Sequence, residues 1–322
     1  MRRLLAGISL GLLTLSFIAN TAAGQSNFPD KPIRFVVPFA AGGLADITMR
    51  IVGEKLGDRL GQRVIIDNRP SGGGVAAAQA VATSPADGHT LITLTNGTAI
   101  SVSLFKSLPF DPLKDFVPIS SVAYFDILLL VNNASPIKNV GDLLAAAKSS
   151  NGTMNIGTIN PGSTQNLSAE LFKSVAGINA QIVPFKGSPD VQVALMRNDI
   201  TVGFESYAAL KGGIDAKDLR AIATSGNDRS LPDVPTVKES GLPAYNVIGW
   251  NALFAPAGTP PEIVAKLNKE IREILAMPDV KKRILELGTE PRASTPEEIA
   301  GRLKDDIKKW AAVIEQAKIE KR

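Results

Sequence analysis

The sequence predicts an α/β protein of two domains, each a mostly parallel sheet flanked by helices. Two observations predict it. Strand, glycine turn and helix patterns recur from Ile33 to Leu94, lapse, and restart after Asn132; such alternation with short turns favours parallel strands covered on both faces. Two extended apolar stretches, residues 116–131 and 247–255, break the pattern and suit strands that cross between domains. The 322 residues, 44% hydrophobic and 20% charged, suffice for two ordinary cores.

The first unit centres on residues 34–50. Ile33 to Val37 is a β-branched and aromatic run, as a buried strand requires. Pro38 stops it, residues 40–43 form a small-residue loop, and from Leu44 the apolar positions Ile47, Met49, Ile51, Val52 and Leu56 recur at helical spacing. A turn of this kind exposes N–H groups at the positive end of a helix dipole, which suits an anion. Gly61 ends the helix. Residues 63–67 are a second strand, 68–74 a second glycine turn, 75–83 an alanine-rich helix and 89–94 a third strand. A short helix follows residues 96–98. In the second unit, 140–149, 167–175 and 190–196 read as helices, and 154–158, 181–185, 200–204 and 219–224 as strands. After residue 255 the chain reads as helices, with proline at the start of two of them. This tail is expected to pack back on the first domain.

Residues 1–24 read as a secretory leader: Arg2-Arg3, an apolar segment from Leu4 to Ile18, then small residues that place cleavage near Ala23 or Gly24. The leader's two arginines account for half of the net charge of +4, and no stretch clusters Lys and Arg with aromatics, so no nucleic-acid partner is expected. There is no cysteine, which excludes disulfides, a cysteine lipid anchor and a thiol nucleophile.

The enzyme classes find little support. His89 is the sole histidine, which leaves zinc and a Ser-His pair without their ligands. No G-x-S-x-G elbow or Walker loop is present. Residues 72–77 fit a loose G-x-G-x-x-A, but the acid a dinucleotide needs near the next strand end is replaced by Leu94-Thr95-Asn96. No cofactor and no metal are expected. A binding protein needs only polar loops at the C-terminal ends of parallel strands. Four turns qualify, at 39–43, 96–98, 160–164 and 185–188, and Glu205 sits at another strand end. If the two units are domains, these turns face one another across a cleft. Lys186 is their single cation, so an anion would rest on N–H groups, hydroxyls and water. Asp46 has a second reading, as a stabiliser of the first helix turn. Glu205 would repel an anion unless it accepts a hydrogen bond from a ligand donor.

These runs resemble the Bug-type periplasmic solute-binding receptors of tripartite tricarboxylate transporters. The resemblance covers residues 28 to about 317 and is carried by FPDKPIRFVVPFAAGGLAD, LGQRVIIDNRPSGGG, SPADGHTL, SLPFDPLKDFVPIS, AELFKSVAG, VPFKGSPD, LPDVPTVKESGLP and LFAPAGTPPEIVAKLN, in order. It implies a periplasmic-binding-protein type II fold that closes on its ligand, with residues 27–125 and 248–322 in one domain and 126–247 in the other. It implies a periplasmic receptor without catalysis, a small carboxylate ligand (di- or tricarboxylate, acidic amino acid or aromatic acid) and membrane permease partners. The PF-x-x-GG loop corresponds to Phe39, Gly42 and Gly43, followed by Asp46. The other site loops correspond to Asn96 and Thr98, to Gly162, Ser163 and Thr164, and to Lys186 and Gly187, with Glu205 where aspartate is common. Departures are Ala40-Ala41 where a proline is usual and Asn166 where histidine is frequent. A monomer is expected. Two rivals remain at this point: a ligand-sensing adaptor for a receptor kinase, and an enzyme on the same scaffold using Glu205, Asp46 or Lys186 as base.

Overall fold

The computed structural model describes residues 28–316 and 318–322. The leader therefore lies outside the described residues. The first lobe opens with β1 (Ile33–Val37), α1 (Leu44–Leu60), β2 (Val64–Asn68), α2 (Val75–Ala82), β3 (Thr90–Thr95), α3 (Asn96–Leu104) and β4 (Phe116–Asp126). After the single residue Ile127 the second lobe begins. It contains β5 (Leu128–Asn132), α4 (Val140–Ser149), β6 (Asn155–Ile159), α5 (Thr164–Ala176), β7 (Gln181–Phe185), α6 (Ser188–Met196), β8 (Val202–Glu205), α7 (Tyr207–Asp215) and β9 (Leu219–Thr224). The chain returns through β10 (Ile248–Pro256) and ends with α8 (Pro261–Ala276), α9 (Pro278–Leu285), β11 (Thr289–Pro291) and α10 (Pro296–Gln316).

Two sheets result, ordered β11-β4-β10-β3-β1-β2 and β7-β6-β8-β5-β9. Among the described residues, parallel strand pairing joins β1 to β2 and β3, and β6 to β7 and β8, beside an isolated parallel bridge from Thr224 to Thr236. The strands next to the crossings run antiparallel: β10 against β3 and β4, β11 against β4, and β5 against β8 and β9. Each sheet is thus mixed. Strand–helix units supply its parallel half; β4, β5 and β10 from the two long stretches between lobes, with β9 and β11, supply the rest.

The tail packs on the first lobe as expected. Ile299, Leu303, Trp310 and Ile314 are buried on α10, which lies against α3 and β4. Their spacing puts an apolar stripe on one helix face. Trp250 Nε1 donates to Asp306 Oδ2 at 2.6 Å, so a tryptophan of β10 is tied to the same helix. The helix α7 and the strand β11 were not expected. The α7 segment, YAALKGGID, holds two glycines that lower its intrinsic preference, and packing against α6 and β9 holds it.

Ser225 staples the crossing. Its hydroxyl accepts from the Ile127 N–H at 2.8 Å and donates to the Val247 carbonyl at 2.6 Å, while the Val247 N–H donates to the Ser225 carbonyl at 2.9 Å. The outgoing and returning chains are therefore joined side by side through one buried residue.

Candidate functional site

The cavity between the lobes is built from helix starts. Gly43 precedes α1 in an extended conformation and no side chain caps that helix, so its first N–H groups lack partners within it. The loop before it is held by Asp46. That buried carboxylate accepts from the Gly42 N–H at 3.0 Å and pairs with Arg50 at 2.8 Å. Burial would raise its pKa, but Arg50 and the Gly42 N–H outweigh this and hold it below the usual carboxylate range. Arg50 also donates to Asn68 Oδ1 at 3.2 Å, and Asn68 donates to the Phe39 carbonyl at 3.1 Å. Gly42 has φ of +82°, which a side chain at this position would strain.

On the opposite wall α5 begins. Its N-cap Ser163 accepts from the Asn166 N–H at 3.1 Å, which leaves the Thr164 and Gln165 N–H groups at the helix start. α6 begins beside it after Gly187, without a side-chain cap. The cavity is about 30 Å³, room for a water or two as the lobes stand here, so a ligand enters only when they part. Phe39, Ala40, Gly43, Leu44 and Ala45 line it from one lobe, with Thr95, Phe125 and Asn251 as floor. Ile159, Asn160, Thr164, Gln165, Lys186, Gly187 and Ser188 line it from the other. Lys186, exposed at the mouth, is the one charged side chain among the described residues of this lining. Asn251 is 1% exposed, and its Nδ2 has no hydrogen-bond partner among the described residues. A buried amide donor without a partner is costly, so this atom marks where an acceptor belongs.

The residues expected at the site divide into four groups. Phe39, Gly43, Thr164, Lys186 and Gly187 line the cavity. Gly42 and Asp46 instead bond each other and set the loop. Asn96, Thr98, Gly162 and Ser163 lie beside the lining: Thr98 and Thr95 cap the start of α3 reciprocally, and Asn96 Oδ1 accepts from Thr164 Oγ1 at 2.5 Å across the lobes. Gly162 meets Gly73 and Gly97 of the facing lobe. Glu205 is fully buried behind Gln165, which donates to it at 2.7 Å. Sequence reasoning missed Asn251, Gln165, Thr95 and Phe125 as lining. A lone asparagine inside the apolar run VIGWNALFA was the available signal for Asn251.

Besides the Asn96–Thr164 contact, the Gly73 N–H donates to the Pro161 carbonyl at 2.9 Å and Asn160 Nδ2 to the Ser71 carbonyl at 2.6 Å. The lobes therefore meet along a rim beside the cavity.

Comparison with known proteins decides what this cavity belongs to. The profile described as "Tripartite tricarboxylate transporter family receptor" (TctC) matches residues 48–319. The chain belongs to that receptor family. Protein BugT of Bordetella pertussis is 34% identical over 320 residues, covering 98% of each chain. An R. palustris protein solved with adipate is 32% identical, with a TM-score of 0.88 over 91% of this chain and 99% of its own. MatC from Rhodopseudomonas palustris, solved with bound malate, is 32% identical, with a TM-score of 0.85 over 89% and 100%. The periplasmic binding protein BugD superposes at 0.87 with 27% identity, covering 92% and 100%. The fold is thus that of periplasmic solute-binding proteins, and the chain is a solute receptor, not an enzyme.

Proposed function

We propose that this receptor binds a small carboxylate in the interlobe cavity and delivers it to the membrane subunits of a tripartite tricarboxylate transporter. The carrying observation is the lining: uncapped starts of α1 and α6, the start of α5 and the unpartnered Asn251 amide converge on one space. The N-termini of α1 and α5, from opposed lobes, offer N–H donors and positive dipole ends to one anionic group. Lys186 adds a positive charge at the entrance. Of the expected contacts, Phe39, Gly43, Thr164, Lys186 and Gly187 are the proposed ligand contacts, joined by Asn251 and Gln165. Gly42, Asp46, Asn96, Thr98, Gly162, Ser163 and Glu205 act on the site through the loops and lobe contacts they hold. The binding of adipate and malate by relatives of similar fold supports the ligand class.

In this reading the leader directs the chain to the periplasm and is cleaved near Ala23 or Gly24. The open lobes admit the ligand, and closure follows because the shut form binds it more tightly. A thermal-shift and calorimetric screen of mono-, di- and tricarboxylates tests the reading. An acid at a hundred times its Kd should add about 2.7 kcal/mol to stability. Absence of any stabilisation by the whole panel would remove the ligand class.

A further inference from the structure

Glu205 is a buried carboxyl beside the cavity whose role the donor-built lining does not explain. Its Oε1 accepts from the Ser206 N–H at 2.7 Å, from the Ser206 hydroxyl at 3.2 Å and from Gln165 Nε2 at 2.7 Å. A backbone N–H can only donate, so Oε1 is an accepting oxygen here. The Gln165 amide is thereby oriented with its NH2 toward Glu205. Its carbonyl oxygen, on the other side of the planar amide, makes no hydrogen bond to a donor among the described residues, and Gln165 lines the cavity. The rest of the wall offers mainly donors: helix-start N–H groups, the Asn251 amide and Lys186. Gln165 therefore places an acceptor in a site otherwise arranged for acceptor atoms of the ligand.

We propose that Gln165, positioned by Glu205, selects carboxylates that carry a hydroxyl or amino donor over analogues lacking it. This deepens the carboxylate reading above and rests on it. The physical basis is asymmetric: a bound analogue without the donor would cover this carbonyl oxygen and leave it unpaired, which costs more than a satisfied bond gains.

Matched acids that differ by one donor test it by titration calorimetry on the mature chain: malate and aspartate against succinate, lactate against propionate, citrate against tricarballylate. The donor-bearing member of the pairs that bind should bind about tenfold tighter or more. Gln165→Met should bring that ratio to within about twofold, as a lost single hydrogen bond predicts. Glu205→Gln retains an accepting oxygen for Ser206 and Gln165 and should keep the preference, whereas Glu205→Leu should lose it. The ratio of two affinities is insensitive to a general loss of folded protein. Equal affinities within every pair, or an unchanged ratio in Gln165→Met, overturn this inference alone. Binding of none of the acids overturns the carboxylate reading and the inference with it.

Discussion

Replacing Asp126 with asparagine should stabilise the receptor at neutral pH and do little at pH 4. Asp126 ends β4, one residue before the crossing, and burial pushes its pKa from 3.8 to about 6, with Asp228 nearby adding to the rise and bonds from Ser230 and the Gly226 N–H opposing it. The folded chain thus holds a proton that the unfolded chain releases between pH 4 and 6. Stability is full below pH 4, where both states are protonated, and is lost as pH rises through the folded value. Roughly two pKa units at 1.36 kcal/mol each amount to at most about 3 kcal/mol. Asparagine keeps an acceptor for the Gly226 N–H and carries no charge. Urea unfolding followed by the buried Trp250 and Trp310 from pH 4 to 7.5 measures it. The variant's advantage should grow from near zero to about 3 kcal/mol across that range. Wild type and variant running parallel from pH 4 to 7 would refute the assignment of this proton to Asp126.

Three further outcomes are expected. Ser225→Ala leaves the buried Ile127 N–H without its acceptor and should cost about 1–3 kcal/mol in urea unfolding; a loss under 0.5 kcal/mol (about the scatter of surface changes) would show that the crossing does not depend on this staple. Gly97→Ala is placed in a helix with ordinary φ, yet its Cβ would stand 2.8 Å from the Gly162 carbonyl of the opposite lobe. Its Cβ would also stand 3.0 Å from Thr95 Oγ1, the cap of α3, so the ligand-free chain should lose a little stability while binding weakens about tenfold or more; wild-type affinity would contradict contact of the lobes at this point. Asn251→Leu removes the unpartnered amide: stability should hold or rise, while carboxylate affinity falls about tenfold by calorimetry. Undiminished affinity would take Asn251 out of the site.

Much of the fold is legible because its signals are local. The run from Ile33 to Val37, the Gly42-Gly43 turn and the helical spacing after Leu44 lie within one short segment, as do the β6–α5 and β7–α6 units. Strand direction is not local: nothing in residues 248–256 states that β10 runs antiparallel to β3, because its partners are more than a hundred residues upstream. The site is legible in the same degree. Glycine turns mark Gly43 and Gly187, but the division of work within each loop depends on atoms that only folding brings together. Gly42 looks like a ligand donor until the Asp46 carboxylate takes its N–H. Glu205 looks like a cleft acid until Gln165 and Ser206 enclose it. Gln165 reads as an ordinary helical polar residue, and its meaning lies in a partner forty positions away.

The rim bonds from Ser71, Gly73 and Asn96 to Asn160, Pro161 and Thr164 join protein to protein. Their contribution is common to every guest the receptor holds. Weakening the Gly73–Pro161 bond, whose residues lie outside the lining, should multiply all dissociation constants by a single factor and leave the order of preference intact. Capture strength and solute choice are then separately adjustable: the rim sets how firmly the jaws stay shut, and the lining sets what they shut upon.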